Sequence, residues 1–291
     1  MAKPLLSLRA IGKIYWRGPH ELRVLADATL DVHAREMVAV WGKRGAGKTT
    51  LLRIAAALER PDSGHVLFED RDLGALSETS RASLRHTEIG WVRRSGPRSE
   101  LRVLDYVALP LLGQGRLREA LHRAYEALVR VGVAECAEER WECISDGERA
   151  LVSIAHGIVR RPKLLLVDDP TASLDSCERE TVTELLRSLA VNQGMGVLMS
   201  APDMPTMMSS HQIRTLSGGR LLAPPDHPSE SRNRVMRFPT GGGRPERRAP
   251  QLIRAPQERN SRSRAGLRDR HQSPPPPILP GSFSAEKFSA D

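Results

Sequence analysis

One eight-residue segment, Gly42-Lys43-Arg44-Gly45-Ala46-Gly47-Lys48-Thr49, restricts this chain more than any other part of it. Before it, Met37–Trp41 (MVAVW) is a short apolar run that reads as a buried strand. After it, Thr49–Leu58 (TTLLRIAAAL) has helical composition. The segment fits G-x-x-x-x-G-K-[ST], and its flanks supply the strand and the helix that the pattern requires. The glycines let the backbone wrap so that its N–H groups converge on phosphate oxygens. The helix start adds a partial positive charge. Lys48 is placed to reach the β- and γ-phosphates. Gly42, Lys43, Arg44, Gly45, Ala46, Gly47 and Thr50 are placed to line them. The Thr49 hydroxyl is placed to ligate Mg²⁺.

A second segment completes the expected site. Leu164–Asp168 (LLLVD) is four aliphatic residues ending in a carboxylate. A buried parallel strand delivers its last side chain to the crevice at its C-terminal edge, where ligands bind in α/β sheets. Asp168 is therefore placed to hold Mg²⁺, directly or through water. Residues 1–222 read as one α/β domain, with strand signals at Leu5–Ala10, Leu30–Val32, His65–Phe68, Val197–Met199 and Ile213–Leu216. Helical patterns fall at Leu117–Val131 and Cys177–Ala190. Residues from about 93 to 160 are the more helical part.

The composition changes at Ala223. The last 69 residues hold 12 of the 21 prolines, and 13 Lys/Arg against 7 Asp/Glu, a net 13 − 7 = +6 of the chain's +9. Such a segment buries too little apolar surface to offset its ordering entropy, so residues 223–291 read as a basic, Pro/Arg-rich disordered tail. The body carries only 9 − 6 = +3, and nucleic acid is not its expected partner. Cys136, Cys143 and Cys177 form no CxxC pair and read as free thiols in a reducing compartment. No stretch has the roughly 18 apolar residues of a membrane span, and Met1–Leu8 lacks the apolar core of a signal peptide. The expected place is the cytoplasm.

The segment LLLVDDPTASLD, running from Leu164 to Asp175, resembles the Walker B and D-loop region of ATP-binding cassette (ABC) transporter ATPases. Ile144-Ser145-Asp146-Gly147-Glu148 falls where that family keeps its signature. LERPDSGHVLFEDRDLGALS and LRVLDYVALPLL resemble the branch that energises lipoprotein-release and macrolide-efflux permeases and the cell-division ATP-binding protein. The resemblance covers Leu5 to Leu222. It implies a P-loop NTPase core with a helical subdomain, and two such domains sandwiching two ATP molecules head to tail. Each ATP would lie between one subunit's phosphate loop and the other's Ser145 and Gly147. Tyr15 sits where the family stacks an aromatic on adenine, with Trp16 beside it. Leu216-Ser217-Gly218-Gly219 imitates the signature, but it follows the last strands and reads as a closing turn.

Four positions depart from the family pattern. Asp169 stands where the family keeps the glutamate that orients the attacking water, and its carboxylate is shorter by one bond, about 1.5 Å. A displacement of about 1 Å can cost on the order of 100-fold in rate. Pro202 stands in place of the switch histidine, and the loss of one preorganised donor typically costs about 10²–10³-fold. Arg94 stands in place of the Q-loop glutamine and has no acceptor to offer Mg²⁺. Asp146 replaces the first signature glycine. Its carboxylate would face the partner's γ-phosphate, and at about 5 Å and an effective dielectric near 20 each charge pair costs about 3 kcal/mol.

The expected function is the ATP-binding subunit of an ABC transporter, with ATP and Mg²⁺ as cofactors. Lys48 and Asp169 are its expected catalytic residues. The four departures point to slow or impaired hydrolysis. Its partners would be an integral-membrane permease and a second ABC subunit, holding it at the inner face of the cell membrane. A hydrolysis-deficient ATP-binding regulator, or the degenerate half of a heterodimer, is the competing reading. A soluble ABC protein acting on nucleic acid or ribosomes is a third, and it fits worse because the chain has one cassette and no heptads.

Overall fold

The computed structural model describes residues 3–93, 96–97, 100–113, 116–201 and 210–223. The chain opens with a long hairpin of β1 (Leu6–Arg17) paired antiparallel to β2 (His20–Val32). Both strands outrun the apolar alternation in the sequence. The outer end of the hairpin is exposed at His20, Glu21, Leu22 and Arg23 and therefore carries no buried face to betray it. Next come β3 (Met37–Trp41), α1 (Lys48–Ala55), β4 (Ser63–Phe68), β5 (Arg71–Asp72), α2 (Glu78–Thr87) and β6 (Ile89–Arg93). Three helices follow: α3 (Val103–Ala108), α4 (Leu117–Val131) and α5 (Asp146–Ile158). The chain then runs through β7 (Leu164–Asp168), α6 (Ser176–Gln193), β8 (Gly196–Ala201), β9 (Gln212–Ser217) and β10 (Arg220–Leu222).

The strands form two sheets, ordered β2-β1-β4-β5 and β10-β9-β3-β8-β7-β6. In the second sheet β3 runs parallel to both β8 and β9, β7 lies parallel between β6 and β8, and only β10 is antiparallel. A parallel sheet is covered on both faces, so its strands are apolar throughout. Val38, Val40, Leu164, Leu166 and Leu198 face one core, together with α1 and the first sheet. Met37, Ala39, Leu165, Val167, Val197 and Met199 face the other, together with α3, α4, α5 and α6. Burying each of these larger side chains contributes about 1.5–3 kcal/mol.

Helix α1 ends at Ala55 and not at Leu58, because Ala57 turns left-handed with φ 52°. Its α1 side chains Leu51, Leu52 and Ile54 are fully buried, which anchors the helix behind the phosphate loop. The Gly218–Gly219 pair, at φ 55° and 77°, forms the two-residue turn between β9 and β10. Two consecutive positive φ angles are what a tight hairpin demands, so the signature-like LSGG at 216–219 is a turn. The helical part is tied together by aromatic contacts. Tyr106 of α3 stacks on His156 of α5 at 4.5 Å and meets Trp141 edge-on at 5.1 Å. Burial, reinforced by Arg160 and Arg93, pushes the His156 pKa down to about 4. The tail from residue 224 onward lies outside the described residues, and so do Arg94 and Pro202.

Candidate active site

The C-terminal ends of β3, β7 and β8 lie side by side in the sheet. The sequence makes that edge chemical. At the end of β3 the chain turns at Gly42, where a Cβ would come within 2.6 Å of the Leu216 carbonyl oxygen. Gly45 and Gly47 adopt φ of 81° and 103°. A side chain at Gly47 would also strike Val24, with Cγ1 at 2.7 Å. Only glycine allows that path. The loop closes on itself through Ala46 N–H to the Lys43 carbonyl at 3.0 Å. The first bond of α1 runs from Leu51 N–H to the Gly47 carbonyl at 2.9 Å. The N–H groups of Lys48, Thr49 and Thr50 thus have no intrahelical acceptor. They have no capping side chain and no acidic residue in the first turn, which leaves them to an anion.

Lys48 folds over this loop, its Nζ donating to the carbonyls of Gly42 at 2.6 Å and Lys43 at 3.2 Å. Thr49 Oγ1 donates to Asp168 Oδ1 at 3.2 Å. Two residues 119 positions apart in sequence therefore meet where a divalent cation would sit. Among the described residues no group of three His, Cys, Asp or Glu could hold a metal unaided. The donor set nevertheless fits Mg²⁺, a hard ion that takes one or two protein oxygens and fills its remaining positions from phosphate and water.

Asp169 follows β7 in a left-handed conformation, φ 53°. Aspartate tolerates that region better than most residues. Its N–H donates to Ser200 Oγ at 2.7 Å, and Ser200 Oγ donates to Asp168 Oδ1 at 3.0 Å. Sequence reasoning passed over Ser200. The available signal was a hydroxyl at the end of an otherwise aliphatic strand, GVLMSA.

Tyr15 is half-buried on β1, and its hydroxyl donates to Glu59 at 2.5 Å. Burial raises its pKa, and the Glu59 bond adds to the effect while the Thr50 hydroxyl opposes it. Tyr15 is thus next to the first turn of α1. Trp16 is 71% exposed and lies on the other face of the strand.

Ser145 and Gly147 belong to a different surface, the N-terminus of α5. None of the described hydrogen bonds joins them to the phosphate loop. Ser145 caps α5 in a reciprocal box with Glu148, which holds the Glu148 carboxyl below the usual range. Gly147 is packed so closely on α6 that a Cβ would lie 2.5 Å from Glu178 Oε1. Asp146 is not the bare charge that the sequence suggests. Arg149, one helical turn on, pairs with it at 2.9 Å. Arg149 is itself fixed by the carbonyls of Trp141 and Glu142. The expected repulsion of about 3 kcal/mol per charge pair is offset by this cation, because the two together present little net charge.

The profile described as ABC transporter matches residues 25–172, a span that includes the phosphate loop, the α5 N-terminus and Asp168. The chain belongs to the ABC transporter family. The cassette is 35% identical over 222 residues to the lipoprotein-releasing system ATP-binding protein LolD of Pseudomonas syringae pv. tomato, covering 76% of this chain and 98% of that protein. It is also 35% identical over 223 residues to LolD 2 of Caulobacter vibrioides, with 76% and 98% covered. Among solved structures, the dimeric post-hydrolysis state of the ATP-binding cassette MJ0796 bound to ADP and Pi matches with a TM-score of 0.68 at 27% identity, covering 74% of this chain and 96% of that one. The protein is an ATP-hydrolysing, ATP-binding subunit of an ABC transporter, similar in sequence to the LolD proteins. No helix among the described residues is long and apolar enough to cross a membrane. The transporter reading is favoured over the regulator and nucleic-acid readings.

Proposed function

We propose that this cassette binds Mg–ATP along Gly42, Lys43, Arg44, Gly45, Ala46, Gly47, Lys48, Thr49 and Thr50, with the adenine stacked on Tyr15. Thr49 and Asp168 hold the Mg²⁺, which when bound neutralises phosphate charge. Asp169 orients the attacking water and accepts its proton. The water oxygen bonds to the γ-phosphorus as the bond to the ADP oxygen breaks, and Lys48 and the free N–H groups of α1 stabilise the charge that spreads onto the phosphate oxygens. A second cassette covers each nucleotide with its own Ser145 and Gly147. The pair works under an integral-membrane permease at the inner face of the cell membrane, and turnover is slow because Asp169 is short and Pro202 has no donor.

The observation that carries this reading is the meeting of Thr49 and Asp168 at 3.2 Å beside the glycine loop. The test is equilibrium binding of a fluorescent ATP, with phosphate release measured on the same protein. Mg-dependent binding with measurable release supports the reading. A chain that takes up no nucleotide in the presence of Mg²⁺ would overturn it.

A further inference from the structure

Ser200 is the penultimate residue of β8, and it is 1% exposed. Its hydroxyl uses both of its capacities at once. It donates to Asp168 Oδ1 at 3.0 Å and accepts from the Asp169 backbone N–H at 2.7 Å. Thr49 Oγ1 donates to the same Asp168 oxygen at 3.2 Å. Two hydroxyls on one carboxylate oxygen fix the rotation of that carboxylate. The bond to Asp169 does a second job. Paired strands β7 and β8 run in register up to Val167 and Met199. Beyond that point a side chain, not a ladder carbonyl, receives the Asp169 N–H, just where the backbone swings to φ 53°. A left-handed non-glycine residue is strained and persists where neighbours fix it. An aliphatic residue at position 200 would leave both the N–H and the carboxylate rotation without this anchor.

We propose that Ser200 is a positioning residue for ATP hydrolysis, linking the carboxylate that holds the cation to the backbone of the residue that orients the water. This inference rests on the assignment of Asp168 and Asp169 given above. In this role Ser200 acts through its two neighbours, Asp168 and Asp169. Outer partners of metal-holding groups typically change metal affinity or activity by about 10–100-fold when removed.

The test compares Ser200→Ala, which deletes the hydroxyl, with Ser200→Thr, which keeps it, alongside Asp168→Asn. Four quantities are read: the Mg²⁺ midpoint for fluorescent ATP binding, kcat, KM for ATP, and the melting temperature. Ser200→Ala is expected to lower kcat about 10–100-fold and to raise the Mg²⁺ midpoint about tenfold or more, with ATP binding in EDTA unchanged. Ser200→Thr should restore both quantities to near wild type. If Ser200→Ala shifts only the melting temperature while Asp168→Asn raises the Mg²⁺ midpoint, Ser200 is structural and the inference falls alone. If Asp168→Asn also leaves the Mg²⁺ midpoint unmoved, the assignment of Asp168 falls and takes the inference with it.

Discussion

Two stretches of the sheet's C-terminal edge lie side by side, and they differ in kind. The phosphate edge, from β3 through the loop into α1, is built by one continuous stretch of chain. Its glycines, Lys48 and Thr49 act through backbone geometry that a few neighbouring residues determine. The hydrolytic edge is assembled from the ends of β7 and β8, whose residues are separated by more than thirty positions. The phosphate edge keeps every feature that phosphate binding requires. In the sequence Asp169 and Pro202 stand where the family keeps glutamate and histidine, and in the structure the end of β8 adds Ser200 beside Asp169. On the proposed assignment binding and turnover are separable in this molecule, since one edge would supply the first and both the second.

The largest effect expected is on the phosphate edge. Lys48→Ala removes the ammonium over the loop and should weaken Mg–ATP binding about 100-fold, as the loss of a charged hydrogen-bonding partner implies. Isothermal titration measures it. Binding within a fewfold of wild type would show that the loop alone holds the phosphates.

A smaller effect lies in the helical part and belongs to neither edge. The His156 pKa is pushed down to about 4 when folded, from an ordinary value of 6.5. The unfolded chain takes up that proton first as pH falls. The stabilisation is therefore present above about pH 6.5 and is lost progressively toward pH 4. Between pH 7 and pH 5 the loss is about 2 kcal/mol. His156→Phe keeps a ring against Tyr106 but cannot titrate, so urea unfolding of this variant at the two pH values should lack that decrement. An identical decrement in the variant would place the acid sensitivity elsewhere.

The smallest effect concerns the surface proposed to meet a second cassette. Asp146→Gly removes a carboxylate already paired with Arg149, a half-exposed pair contributing at most about 1 kcal/mol. ATP-dependent dimerisation, followed by sedimentation, should tighten by about two- to fivefold and no more. A hundredfold gain would mean that Arg149 does not shield Asp146 in the closed dimer.

How far the fold could be read from sequence follows the same division. β3 and α4 have the bounds that their apolar periodicity suggests, because buried periodic segments announce themselves. The β1–β2 hairpin was only partly legible, since its outer half is solvated on both faces. The end of α1 was not legible, because AAAL carries no stop signal although Ala57 turns left-handed at φ 52°. The meeting of Thr49 with Asp168 was legible because motif spacing encodes it. The Asp146–Arg149 pair was legible in principle from its i,i+3 spacing. Ser200 was not, because its meaning arises only when β7 and β8 pair in register. The Glu59 partner of Tyr15 was likewise hidden, lying 44 residues away.

The separation of binding from turnover is tested most directly by Asp169→Glu, with ATP affinity and single-turnover hydrolysis measured on one preparation. The longer side chain brings the carboxylate about 1.5 Å closer to the reacting phosphate. The account predicts unchanged ATP affinity and a rate raised about tenfold or more. A rate that stays level or falls while ATP binds normally would contradict it, and would mean that the length of Asp169 does not limit hydrolysis in this cassette.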